Sequence, residues 1–306
     1  MMMKYVYLSG FPKIFLTMTG LYLNEFDDLV IAVEPLYQAA EQKRLNRPDR
    51  QRDFGGGDHP DLASRDQILL TIIWLRQYPT QDVLGYFFGI SQATVSRYLE
   101  RVLPILEQDG QDRMRMPDPG RKRRRQLDEL LRDMPEIVVV IDSFEQKVQR
   151  PKDATERDAW YSGKKKTHTM KSQVAVDEDR GEIVDISESV PGPTADITLL
   201  DQSELLDNLP EGVGGMGDSG YQGIAKRHKY GFSPRKKPRG KVRPPADIAY
   251  NTAFSRRRIV VENTNNRLRR YQSLTQTDRN HRHNHTQRVR AVAGLVNRQI
   301  RTRLIA

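Results

Sequence analysis

An α+β chain is expected: an all-helical N-terminal region, then an α/β region built on five strands. Three observations carry this. Apolar residues recur at three- and four-residue steps as far as about residue 110. Ile137, Val138, Val139, Val140 and Ile141 form an unbroken β-branched run, the pattern of a strand buried on both faces. From Pro135 onward, short strand patterns alternate with helical ones. The expected division is residues 1–110 as the helical region, 111–134 as a basic linker and 135–306 as the α/β domain ending in a helix.

Met1 to Leu23 is fairly apolar, but Gly10, Pro12 and Lys13 interrupt it. It is too broken for a membrane span or a signal peptide and reads as a lead-in to the first helices. Residues 20–46 carry Leu21, Phe26, Leu29, Val30, Val33 and Leu36 on one helical stripe. The run Gly55-Gly56-Gly57 follows in a polar stretch. Without a following Lys-Ser/Thr it reads as a flexible linker rather than a phosphate cradle.

Ser64 is a candidate N-cap for a helix bearing Ile68, Leu69, Ile72, Ile73 and Leu75, and Pro79 stops it. Thr80 can cap the next helix, with Val83, Leu84, Phe87 and Phe88, which Gly89 ends. Ser91 caps a third helix from Gln92 to roughly Leu103. The stretch 79–103 thus has the grammar of a helix-turn-helix. In that motif the second helix enters the major groove, so Gln92, Thr94, Ser96 and Arg97 are the candidate DNA-binding residues. An ordinary three-helix bundle is the alternative.

The segment 110–135 is charged and irregular, with Arg121-Lys122-Arg123-Arg124-Arg125 and a short helix at Leu127–Met134. Beyond the first strand, Thr167–Val176 and Glu182–Val190 read as strands joined by a turn at Asp179–Gly181. Ile197–Leu206 reads as a helix, Val213–Met216 and Phe232–Lys236 as strands, and Asn251–Tyr271 and Thr286–Leu304 as long helices.

Net charge is +10, from 50 Lys and Arg against 40 Asp and Glu. Such a surplus suggests a polyanionic partner, nucleic acid before membrane. The chain has no cysteine. Disulfide scaffolds, zinc–thiolate sites and iron–sulfur ligation are therefore excluded.

Three carboxylates form a pattern. Asp142 follows the most hydrophobic strand, where an acid is costly unless it meets solvent or a cation. Asp218 lies in Gly217-Asp218-Ser219-Gly220-Tyr221-Gln222-Gly223, whose glycines permit a sharp bend. Glu262 lies on a helix with Arg258 and Arg269 near the same face. Singly, each has a bland reading: two turn aspartates and a surface Arg258–Glu262 ion pair. Together, an Asp, a later Asp and a helical Glu on converging elements can hold two hard divalent cations.

At these residues the chain resembles the DDE-type insertion-sequence transposases, in particular the insertion-sequence-five group and its harbinger relatives. Thr19-Gly20-Leu21 with Phe26 resembles the family's entry, and Tyr78-Pro79-Thr80-Gln81 with Ser91-Gln92-Ala93-Thr94-Val95-Ser96 its helix-turn-helix. The most specific match is Tyr161-Ser162-Gly163-Lys164-Lys165-Lys166-Thr167-His168-Thr169-Met170-Lys171. Pro191-Gly192 with Asp196, the Gly217–Gly223 segment, and Val261-Glu262-Asn263 with Arg267-Leu268 complete it. The chain departs from the family with Ser143-Phe144-Glu145 in place of Gly-Thr-Glu. Ala195-Asp196 replaces His-Asp, and Asn265-Asn266 stands where a glycine is usual.

The resemblance implies an RNase H-like domain on a mixed five-stranded sheet, with Asp142, Asp218 and Glu262 as catalytic metal ligands. It implies two Mg²⁺ ions, with Mn²⁺ able to substitute, and Asp196 and Tyr221 as accessory residues. The implied partners are double-stranded DNA, at element ends and target, and a second copy of the chain in a working dimer or higher oligomer. The setting is a bacterial or archaeal cytoplasm, at the nucleoid, with no membrane. Lys164, Lys165, Lys166 and Lys171 then become phosphate contacts, as do Arg258 and Arg269, against a reading as a solvated basic edge. His281, His283 and His285 read as surface or DNA-proximal residues. The expected activity is binding of terminal inverted repeats followed by metal-dependent cleavage and strand transfer. The rivals are a domesticated endonuclease and a catalytically silent DNA-binding regulator.

Overall fold

The computed structural model describes residues 3–46, 60–124 and 126–305. The Gly55–Gly57 run and Arg125 lie outside them. The N-terminal region consists of α1 (Tyr5–Leu8), α2 (Pro12–Thr19), α3 (Leu23–Leu45), α4 (Ser64–Gln77), α5 (Gln81–Phe88) and α6 (Gln92–Arg113). Thr80 and Ser91 cap as expected, their hydroxyls accepting from the backbone N–H groups of Val83 (3.4 Å) and Thr94 (3.1 Å). Gly89 closes α5 in the left-handed conformation, φ 69°. Ser64 does not cap. Ala63 holds that position, and the Ser64 hydroxyl donates instead to Glu34 at 2.9 Å.

The third helix of the cluster runs to Arg113, well beyond Leu103, through Pro104. Its extension has a partner. It crosses α10 (His285–Ile305), the last helix of the chain, at Gly110 and Gly294. A Cβ on Gly294 would lie 2.6 Å from the Gly110 Cα, and one on Gly110 would lie 2.9 Å from the Arg290 carbonyl oxygen. Buried Asp109 accepts from Arg298 at 2.8 Å and from Arg113 at 2.9 Å beside the crossing.

A second lock lies at the end of α4. Tyr78 is 2% exposed; its hydroxyl accepts from the Arg279 N–H and the Asn280 amide and donates to Asp278. Arg288 pairs with the same carboxylate in the interior.

The sheet contains β1 (Val138–Lys147), β2 (Tyr161–Ser162), β3 (Thr167–Asp177), β4 (Ile183–Ile186), β5 (Val190–Pro191), β6 (Gly214–Gly217) and β7 (Gly231–Phe232). Five are the expected strands. The additions are short: β2, and β5, which is split from the strand expected over Glu182–Val190. β3 pairs antiparallel with β1, and β4 and β5 pair antiparallel with β3, while β6 runs parallel to β1 and β7 parallel to β6. The main strand order is thus β4-β3-β1-β6-β7, the mixed arrangement of an RNase H-like domain.

Strand alternation separates two cores. Val138, Val140 and Phe144 join a cluster with Val261 of α9 (Pro245–Leu268), with α10 and with the N-terminal helices. Val139 and Ile141 face the other way, toward Leu200 of α8 (Asp196–Gln202) and Tyr221. The basic linker is tied down on the turn after β3: Arg121 forks onto Asp177, and Arg123 reaches Glu178 at 2.7 Å. The turn acids are nearly fully buried, so those arginines are their counter-ions.

The helix crossing predicts a sign. Alanine in place of a mid-helix glycine normally stabilises by about 1 kcal/mol. Here the added methyl meets backbone that cannot rotate away. Gly294→Ala and Gly110→Ala are therefore expected to lower stability, by about 1–3 kcal/mol in denaturant titrations. A stabilised Gly294→Ala chain would show that the crossing is looser than described.

Candidate active site

β1 carries the first acid, but not at its end. The strand continues to Lys147 on its antiparallel side, while its parallel pairing with β6 stops at Ile141 opposite Gly217. Asp142 and Asp218 are therefore the next residues on two strands that have just ceased to pair. Divergence opens a notch, and both acids stand at its mouth. Gly217 is required there, because a Cβ on it would lie 2.5 Å from the Tyr221 ring. The Asp218 carboxylate accepts from the Gly220 N–H at 2.7 Å.

Parity sends Asp142 to the α9 face. There Asn265 donates from Nδ2 to Asp142 Oδ2 at 2.8 Å, and Arg258 stands 3.8 Å from Oδ1. Arg258 and Asn265 are two helical turns apart, so one stripe of α9 serves one carboxylate. Glu262 lies on that stripe between them. Its side chain is exposed and makes no hydrogen bond or ion pair among the described residues, so the surface pair with Arg258 is not formed.

Ser143 has the opposite parity and meets α8. Its hydroxyl donates to Asp196 Oδ1 at 2.8 Å, and Lys171 Nζ donates to the same oxygen at 2.9 Å. Asp196 does not cap α8, since Ala195 occupies the cap and no side chain closes it. Lys171, expected at a phosphate, is 7% exposed and committed to Asp196 and the Thr194 carbonyl oxygen. Phe144, on the same strand face as Asp142, is buried in the core cluster that includes Val261 of α9.

Burial pushes the Asp142 carboxyl above its usual range. Arg258 and the Ser143 backbone N–H oppose this, while Asp218 and Asp196 add to it. The Tyr221 hydroxyl is raised well above its usual value, by burial first and then by the negative charges of Asp196, Asp142 and Asp218, with the nearby Ser143 hydroxyl opposing. It has no hydrogen-bond partner among the described residues, and neither does Asn265 Oδ1 in its buried side chain.

The donor set fits a hard divalent cation: every candidate ligand is an oxygen, and two buried polar atoms at the notch lack partners. It is not a finished cage. Among the described residues, no three acids or imidazoles converge at metal-binding distance, and Glu262 stays outside.

Of the other expected contacts, Lys164, Lys165 and Lys166 form an exposed turn between β2 and β3, and Arg269 is exposed at the end of α9. Gln92 and Arg97 are exposed on α6; Thr94 and Ser96 are half-buried, Ser96 donating to Glu100 at 3.2 Å. His281 and His283 stack at the surface. His285 instead is buried, with its ring nitrogens on Ser189 (2.7 Å) and Gln146 (2.8 Å). Burial pushes it down to about 3, so it is neutral at physiological pH. Asn265 and Ser143 were legible only as departures from the family pattern.

The RNase H-like sheet thus carries an acid pair where its parallel strands part. The comparisons with known proteins specify the family. Residues 141–297 match the DDE superfamily endonuclease model, and residues 60–112 match the helix-turn-helix of DDE superfamily endonuclease. The chain belongs to the DDE superfamily endonucleases, as a transposase of that family. The probable transposase for insertion sequence element IS702 of Microchaete diplosiphon is 31% identical over 94% of this chain and 94% of its own length. The putative nuclease HARBI1 of Rattus norvegicus is 26% identical over 66% of this chain and 56% of its own length. The HARBI1 of Homo sapiens is 25% identical over the same shares. A solved Mos1 transposase paired-end complex with left transposon end aligns over 76% of this chain and 82% of its own at 12% identity. Its TM-score of 0.20 gives it no structural weight. Enzymes of this superfamily generally use divalent metal ions.

The raised Asp142 carboxyl has a consequence for stability. Folding disfavours its charged form, so the cost is present above its folded pKa and gone below the unfolded value of about 3.9. Without divalent ions, Asp142→Asn should raise the thermal midpoint at pH 7. The difference should shrink to nothing as the pH falls below about 4. A midpoint lowered at pH 7 would mean that Arg258 and Asn265 more than offset the burial.

Proposed function

We propose that this transposase binds the terminal inverted repeats of its own element, cleaves DNA there in a metal-dependent reaction and joins the freed end to target DNA. The observation that carries this reading is the placement of Asp142 and Asp218 side by side where β1 and β6 stop pairing. Asp142, Asp218 and Glu262 are assigned as the ligands of two divalent cations, Mg²⁺ with Mn²⁺ as a substitute. Such ions supply activation of a hydroxyl nucleophile and charge stabilisation on the leaving oxygen.

The chain's own residues do the rest. Asn265 fixes the rotamer of Asp142 by holding Oδ2, while Oδ1 faces Arg258 at 3.8 Å. Arg258, 3.8 Å from Asp142 Oδ1, would be within the site to pair with a DNA phosphate. Glu262, exposed on the same stripe between Arg258 and Asn265, is the third acid of the set. Lys164, Lys165, Lys166 and Arg269 supply backbone contacts, while Gln92, Thr94, Ser96 and Arg97 address base edges or phosphates from α6. Joining two ends calls for at least two copies in the working complex.

The decisive assay uses DNA carrying the gene's own flanks, with Mg²⁺ or Mn²⁺. The native chain is expected to cut at the flank boundaries and Asp218→Asn to cut at background level only. In the same flanks, Arg97→Ala should weaken specific binding by about 1–3 kcal/mol. Tight flank binding without cleavage under either metal would sink the nuclease reading and leave a DNA-binding regulator.

A further inference from the structure

Asp142 and Asp196 lie on opposite faces of β1, and Asp218 stands between them at the strand divergence. Asp142 has a stripe of α9 as its environment. Asp196 has another: the first turn of α8, the Ser143 hydroxyl and the Lys171 ammonium. Only its Oδ1 is used by those donors. Oδ2 points over Gly220, where a Cβ would lie 2.3 Å from it and 3.0 Å from Asp218 Oδ1. Two carboxylate oxygens of different residues therefore flank one small space, kept open because residue 220 has no side chain.

A second observation points to the same place. The Tyr221 hydroxyl is fully buried, lies near the Ser143 hydroxyl without closing a well-formed hydrogen bond to it or to any other described residue, and feels Asp196 more strongly than either other acid. A buried hydroxyl without a partner, beside three acids, is a group set for a ligand that the protein itself does not supply.

We propose that Asp196 is a further cation-binding carboxylate, which pairs through Oδ2 with Asp218 over Gly220, and that Ser143 and Lys171 are positioning residues that hold it by Oδ1. This rests on the reading of Asp142 and Asp218 as cation ligands and assigns one of the two ions to the α8 side of the notch. Asp218 then serves both sides. Lys171 reaches Asp196 because its strand partner is Glu145, two residues beyond Ser143, so both donors rise from the same sheet face. The serine has a purpose on this account: a glycine at position 143 would leave Asp196 with Lys171 alone.

The test is Mn²⁺ binding by calorimetry on the full chain without DNA. Asp196→Asn keeps an acceptor for Ser143 and Lys171 but presents an amide NH₂ toward Gly220. It should weaken at least one bound Mn²⁺ by tenfold or more, and Ser143→Ala should weaken the same ion by about tenfold through lost positioning. Thermal midpoints of the metal-free variants report folding. Should Asp196→Asn fail to fold, Ser143→Ala carries the test alone. Unchanged Mn²⁺ binding in a folded Asp196→Asn chain, with binding lost in Asp218→Asn, would overturn the role of Asp196 and leave the reading of the site intact. Unchanged binding in Asp218→Asn as well would overturn both.

Discussion

The crossing of α6 and α10 is the contact on which the rest of this molecule depends. α6 begins at the exposed residues of the helix-turn-helix and ends against α10, the last helix of the chain. Two glycines let the helices approach until backbone meets backbone. Close-packed interiors transmit position, because no soft side chain intervenes. The reading head and the notch are thus parts of one continuous core, which runs from the N-terminal helices through α9 and α10 to one face of the sheet. The Tyr78–Asp278–Arg288 network adds directional bonds to the same junction.

Electrostatics organises the other half. Asp142, Asp196 and Asp218 gather at the place where two parallel strands part, and burial raises the cost of charge on Asp142. The fold offsets that cost locally: Arg258 and Asn265 serve Asp142, and Lys171 and Ser143 serve Asp196. Asn265 and Arg258 face the two oxygens of Asp142, at 2.8 and 3.8 Å, while Asp196 keeps Oδ2 out of its bonds to Ser143 and Lys171. The result is a concentration of negative charge that local donors hold in place.

The positive charge of the chain is accordingly divided. Lys164, Lys165, Lys166, Arg97 and Arg269 face solvent and are free to meet a polyanion. Arg121, Arg123, Arg257 and Arg288 are turned inward, against buried Asp177, Glu178 and Asp278. Removing one partner of such a pair would leave a charge stranded in low dielectric, so these arginines are structural before they are anything else. A net surplus of cations indicates a polyanionic partner, but it does not indicate which cations touch it.

That distinction marks the limit of the sequence. The caps at Thr80 and Ser91, the buried run of β1, the order of strands and helices, and the aspartates beside their glycines were all legible. Each is set by residues a few positions apart through periodicity, capping or turn chemistry. The tertiary structure alone decided that Lys171 holds Asp196 instead of facing phosphate and that His285 is buried. It also decided that Arg121 and Arg123 clamp a turn, that Asn265 fixes Asp142, and that Glu262 stands outside. The partner of a long polar side chain is chosen by whatever the fold brings within its reach. For these residues that partner lies on an element remote in sequence, which no local pattern encodes.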